Sequence, residues 1–308
     1  MLLINFLSAF WMKSARIFKR RYGNHFLTLL AISGVRMQPG IYDDINNDDY
    51  HNGPGISKSQ LDLIEQSPAD FIWQRNAPVD EEKIKALDFG TAIHCLLLEP
   101  DEFNNRYRIG PEVNRRTSAG KQEEKEFFDM CEKEGITPIT HDDNRKLMIM
   151  RDSAMAHPIA KWCLEADGKA ESSIYWKDKE TDILCRCRPD KLIGQHGWIV
   201  DVKSTADMAR FERAFYDMRY HVQDSFYSDG YKDLSGELPV FVFLAVSTTI
   251  DCGRYPVRVF IMDDVAKDAG RSAYKQNLRT YAECIKTDEW PGLRTLSLPR
   301  YAKELRNE

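Results

Sequence analysis

The stretch Trp198-Ile199-Val200-Asp201-Val202-Lys203 constrains this chain more than any other. Its β-branched residues and apolar flank predict a strand entering a core. Side chains of a strand alternate faces, so Asp201 and Lys203 project to one side while Val200 and Val202 pack on the other. A carboxylate and an ammonium in that setting are costly unless they are paired or serve a metal. Arg188-Pro189-Asp190 lies just upstream, so two acids and a lysine can meet. Such a site suits magnesium, with manganese as a substitute. A few oxygen ligands leave coordination positions for water and phosphate, and the lysine can position the attacking water.

The rest of the chain predicts an α/β fold. Ser57 with Gln60 has capping-box spacing, and Leu61 and Ile64 supply the apolar face of the helix that follows. Leu87 to Leu98 places Gly90, His94 and Leu98 at steps of four on one helix face. Residues 121 to 165 read as charged helices with a turn near Gly135 to Pro138. Three runs, Ala170 to Trp176, Ile183 to Leu192 and Trp198 to Ser204, are separated by polar turns and predict an antiparallel meander. Glu171 in the first run is a further candidate carboxylate. Asp207 caps a helix bearing Phe211 and Phe215; the next helix carries Val222, Phe226 and Gly230, with Gln223 and Tyr227 on a neighbouring stripe. Pro239 to Ser247 and Val257 to Met262 are continuous apolar runs, which predict strands buried on both faces. A last helix spans Ala266 to Ile285. The expected architecture is a mixed central sheet with an antiparallel catalytic meander, flanked by helices and preceded by an N-terminal helical region.

Residues 1–36 differ in character: two apolar runs, Leu2 to Trp11 and Leu27 to Val35, flank a basic stretch. Neither run reaches the roughly 18 to 20 residues that span a bilayer. The basic residues follow the first run, unlike a signal peptide. Residues 1–36 are therefore expected to lie outside a single domain of residues 37–308, with no membrane association. Seven cysteines without a CxxC pair suggest neither a disulfide framework nor a zinc ribbon and fit a reducing cytoplasm. Cys185 and Cys187 read as core-facing. A net charge of −5 means that any nucleic acid must be held by local charge. Arg115, Arg116 and Lys121, in a polar Gly-containing stretch read as a loop, form one candidate patch. No Gly-x-x-x-x-Gly-Lys-Ser/Thr motif is present, which argues against ATP hydrolysis.

Asp190, Asp201-Val202-Lys203, Gly90-Thr91-Ala92-Ile93-His94 and the pair Gln223 and Tyr227 together resemble the PD-(D/E)xK nuclease superfamily. The likeness runs from about Pro39 to the C-terminus. It is strongest to phage recombination exonucleases related to the RecB nuclease domain, among them the nuclease domain of exodeoxyribonuclease VIII. The resemblance implies a restriction-endonuclease-like core and a divalent ion held by Asp190, Asp201 and the Val202 carbonyl, with His94 contributing from outside the sheet. It assigns Lys203 to the attacking water and Gln223 and Tyr227 to positioning Lys203, water or phosphate. It further implies digestion of double-stranded DNA ends from the 5′ side, leaving 3′ tails for a single-strand annealing protein, by a homo-oligomeric ring. Competing readings are a structure-specific endonuclease and a catalytically silent DNA-binding phage protein. Scattered cysteines disfavour an iron–sulfur nuclease.

Overall fold

The computed structural model describes residues 37–78, 89–114 and 116–297. In chain order the elements are β1 (Gly40–Tyr42), α1 (Asn47–Asn52), α2 (Lys58–Gln66), α3 (Pro68–Asn76), α4 (Phe89–Leu98), α5 (Pro100–Arg106), β2 (Tyr107–Ile109), α6 (Ser118–Glu134) and β3 (Thr137–Ile139). There follow α7 (His141–Ala156), α8 (Pro158–Glu165), β4 (Lys169–Ala170), β5 (Ser173–Lys177), β6 (Leu184–Cys187), β7 (Lys191–Ile193), β8 (Trp198–Thr205), α9 (Met208–Asp217), α10 (Tyr220–Ser235), β9 (Val240–Ser247), β10 (Val257–Phe260) and α11 (Asp264–Thr287). The expected caps form: Ser57 and Gln60 make a reciprocal capping box on α2, and the Asp207 side chain accepts from the backbone of Ala209 and Arg210.

A mixed five-stranded sheet runs β10-β9-β8-β7-β4, with β8 and β9 parallel and the other pairs antiparallel. Each face of β8 serves a different core. Val200 and Val202 join Val242, Leu244 and Val246 against Ile93 and Leu96 of α4 and Leu147 and Met150 of α7. Ile199 joins Phe241 and Phe243 against Val222 and Phe226 of α10 and Leu278 of α11. Each fully buried valine contributes roughly 1.5–3 kcal/mol. The alternation along β8 is thus the one its sequence predicts, and it turns Asp201 and Lys203 toward α10.

The meander differs from expectation. Its first two runs each break and pass from one sheet to another: β5 and β6 pair with β1 in a separate three-stranded sheet, while β4 and β7 belong to the five-stranded one. The breaks fall together, at Glu171-Ser172 and at Arg188-Pro189-Asp190. Pro189 has no N–H and holds its predecessor extended, so a continuous ladder cannot run through it. Opposite it, Glu171 takes a left-handed φ of 56° and donates its N–H to the Asp190 carbonyl at 3.2 Å. Arg188 ties the corner to the N-terminal region, donating to Ser173 Oγ at 2.7 Å and to the Ile45 carbonyl at 2.8 Å, over the Tyr50 ring.

Two smaller corrections follow. β10 is an edge strand whose residues are half-buried or exposed, so its apolar continuity does not mean burial on both faces. Lys121 lies on a helix and not in the expected loop: Thr117 accepts from the Gly120 N–H and α6 starts at Ser118. Cys185 and Cys187 are fully buried, and all seven cysteines are free. Among the described residues no helix is long and apolar enough to cross a membrane. Residues 1–36, Leu87 and Arg115 lie outside the described residues.

Candidate active site

The strand break makes the site. β7 begins at Lys191, opposite Val200, so beyond that point β8 has no strand on its β7 side. The Val202 N–H, which a longer β7 would have paired, donates instead to Asp190 Oδ2 at 2.6 Å. The N–H and C=O of a strand residue face the same neighbour, so the Val202 carbonyl is turned to the same gap. Pro189 therefore does two things: it ends the ladder, and it brings the next side chain over the exposed backbone.

Asp201 is 2% exposed. Its Oδ1 accepts from Gln223 Nε2 at 2.5 Å, and its Oδ2 lies 2.6 Å from Lys203 Nζ. Burial, then the Asp201 charge, pushes Asp190 well above the usual carboxylate range, and Lys203 and the Val202 N–H offset this only in part. Burial pulls the Lys203 ammonium down, but Asp201 and Asp190 outweigh it and its pKa is raised. His94, from the opposite side of the sheet, brings Nδ1 to 3.4 Å from Asp190 Oδ2. The site thus lies at the open edge of β8, between a helix from each layer, α4 and α10.

The helix residues divide. Gln223 holds Asp201 and not Lys203, because α10 packs over the sheet face that bears both and the amide reaches the carboxylate. Tyr227 sets its ring 6.0 Å from that of Phe241, and burial raises its hydroxyl pKa. Tyr220 is a contributor that sequence reasoning missed: Lys203 Nζ lies 4.9 Å from its ring centroid. Its spacing to Gln223 and Tyr227, three and seven residues, puts all three on one helix stripe and was the available signal. Glu171 sits at the break and not on a strand; burial raises its pKa, with Arg188, Glu99, Arg106 and Asp201 as charged neighbours. Arg116 and Lys121 are exposed near the start of α6, which packs on β3, and no hydrogen bond or ion pair of the site involves them.

Among the described residues no three histidine, cysteine or carboxylate side chains form a ready metal cluster. The physical reason is visible: Asp190 is turned to Val202 and His94, and Asp201 to Gln223 and Lys203. The donors nevertheless fit a hard divalent cation in kind. Asp190 bears the cost of a second buried carboxylate beside it, a repulsion that a cation relieves.

Comparison with known proteins bears on the family and the fold. Residues 57–294 match the family described as a PDDEXK-like domain of unknown function (DUF3799). No curated protein matches the chain. Among solved structures, the crystal structure named "Putative exonuclease" from Eubacterium rectale superposes with a TM-score of 0.54 at 12% identity, covering 88% of this chain and 98% of that one. At that identity the likeness is one of fold.

Proposed function

This chain belongs to the PDDEXK-like domain family, and from that membership we propose that it is a metal-dependent exodeoxyribonuclease acting on the ends of double-stranded DNA. The observation that carries the reading is the Asp190, Asp201 and Lys203 set at the open edge of β8. Two acids and a fixed ammonium, set against strand backbone with no neighbouring strand, suit hydrolysis of a phosphodiester.

Asp190, Asp201 and the Val202 carbonyl would hold the divalent ion, magnesium in our reading, with His94 beside Asp190. When bound, such an ion supplies Lewis-acid polarisation of the phosphate and a more acidic water. Lys203 places a positive charge where negative charge develops on the phosphate oxygens and steers the attacking water. Its ammonium is held by Asp201 and by the Tyr220 ring. Gln223 fixes the orientation of Asp201, the work that hydrogen bonds to ligating carboxylates do in metal sites. Attack from the 5′ side, 3′ tails passed to a single-strand annealing protein, a phage recombination setting like that of exodeoxyribonuclease VIII, and assembly into a ring extend the same proposal.

The test is incubation of the full chain with linear and covalently closed duplex, with magnesium or with EDTA. The expected result is digestion of the linear form alone, only with metal, and none by Asp201→Asn. Cleavage of the closed circle would make it an endonuclease, and failure to cut either form would overturn the assignment.

A further inference from the structure

Next to the proposed site, the corner between α9 and α10 presents Tyr216 and Met218 to solvent, 65% and 59% exposed. Singly exposed apolar residues are ordinary. What distinguishes this corner is how firmly it is held. The Tyr216 ring lies parallel on the imidazole of His221, with centroids 5.0 Å apart and planes 8° apart, while His221 itself is 6% exposed. Phe215 closes on the same imidazole edge-on at 6.3 Å. Arg219 turns the corner with a φ of 55°, a strained conformation for a residue with a side chain. Asp62 at 2.7 Å and Asn277 at 3.2 Å anchor its guanidinium. Lys58 donates to the Met218 carbonyl at 3.2 Å.

The corner is continuous with the site. Tyr220, between Arg219 and His221, is the ring under Lys203. Lys58 is close enough to Lys203 for the two ammonium groups to act on each other. An aromatic face, half covered by His221, therefore stands beside three cations, Lys58, Arg219 and Lys203, each held by a carboxylate, Asp62, Glu65 and Asp201 among them, with which a phosphate would compete. This is the pairing that single-stranded nucleic acid uses: cations for the phosphates and a flat ring for a base. Inside a duplex each base is stacked on its neighbours, so only an unpaired base or a terminal pair offers a free face to such a ring.

Building on the nuclease reading, we infer that the open face of Tyr216 is a stacking platform for an unpaired nucleobase of the DNA strand engaged at the active site. Anisotropy of labelled single-stranded and blunt duplex oligonucleotides, in calcium to hold back turnover, tests it. Tyr216→Ala should weaken single-strand binding about tenfold, within the range for one base–aromatic stack. It should weaken binding of the blunt duplex, whose only free base faces are its ends, by less, raise KM on linear duplex and leave kcat unaltered. Tyr216→Phe should behave as wild type. Tyr216→Leu, which keeps an apolar cover over His221, should behave as Ala and so separates lost stacking from lost packing. Unchanged single-strand affinity in Tyr216→Ala and Tyr216→Leu overturns the platform. A change in assembly state by sedimentation, with DNA affinity intact, also overturns it and assigns the patch to a second copy of the chain. A wild-type protein that cuts linear duplex while Tyr216→Ala matches it sinks this inference alone. A wild-type protein that neither binds nor cuts DNA sinks the nuclease reading as well.

Discussion

Helix α10 has a buried carboxylate on each side, and the two are treated differently. Toward the sheet, Asp201 is met by the Gln223 amide and the Lys203 ammonium. Toward α11, Asp224 is wholly buried, accepts one hydrogen bond from Ser228 Oγ at 3.0 Å and has a second oxygen without a partner. Burial pushes Asp224 up to about 6, and Lys267, Ser228 and Arg271 counter this only in part. Burial is common to both groups, whereas an ammonium in direct contact belongs to the sheet side, Lys267 and Arg271 acting on Asp224 only from a distance. A carboxylate answered by an ammonium within 3 Å stands in a setting built for charge. One answered by a hydroxyl is a group the fold accommodates, and it makes stability depend on protons.

The largest effect should separate the two directly. Asp201→Asn and Lys203→Ala should each lower DNA cleavage by orders of magnitude at neutral pH, with the circular dichroism spectrum retained, while Asp224→Asn leaves the rate unchanged. An Asp224→Asn protein as inactive as Asp201→Asn would erase the distinction. Asp224 should show itself in stability. Its folded pKa lies above the ordinary value of 3.8, so between about pH 4 and 6 the folded chain holds a proton that the unfolded chain has released. Stability from this group is therefore full at low pH and lost as pH rises through about 6, an upper bound of ~3 kcal/mol. Urea unfolding of wild type and Asp224→Asn at pH 4.5 and 7.5 measures it; the variant should lose less than wild type across that interval.

Gln223 sharpens the comparison, because it is the neighbour of Asp224 in sequence and points to the other side of the helix. Gln223→Ala should cost about 10–100-fold in activity, typical for a hydrogen bond that orients a metal-ligating carboxylate, with a higher magnesium requirement in a titration. A loss of thermal stability with unchanged kinetics would make Gln223 merely a packing residue. The smallest effect belongs to Ser228→Ala, which removes the one hydrogen bond of Asp224. It should cost about 1 kcal/mol and move the pH midpoint of stability upward, as seen in denaturation at several pH values.

Much of the fold was legible because it rests on local rules. Ser57 with Gln60, Asp207 before α9 and the alternation of β8 are short-range patterns, and each appears where its spacing places it. The apolar run of β9 likewise carries its own burial. The division of the meander into two sheets was not legible, because Ala170 to Trp176 reads as one continuous strand and nothing local marks Glu171 for a left-handed turn. That turn is imposed by its partner across the corner, where the Asp190 carbonyl takes the Glu171 N–H. The edge position of β10 was hidden for a related reason, since apolar continuity reports composition and not the number of neighbours.

At the site, residue types and spacing along the chain placed Asp201 and Lys203 on one face and offered Asp190 as a second acid, while the resemblance to PD-(D/E)xK nucleases named His94 and Gln223. Strand periodicity alone settles the first of these, since alternate side chains must share a face. Which groups touch was decided by the tertiary structure: Asp190 on the Val202 N–H, His94 arriving from the opposite helical layer, Gln223 on Asp201 instead of Lys203, and Tyr220 beneath the lysine. These contacts join residues up to about a hundred positions apart, across two cores and a broken ladder. No local periodicity encodes them, because each depends on where an unpaired strand edge is left when separate elements have packed.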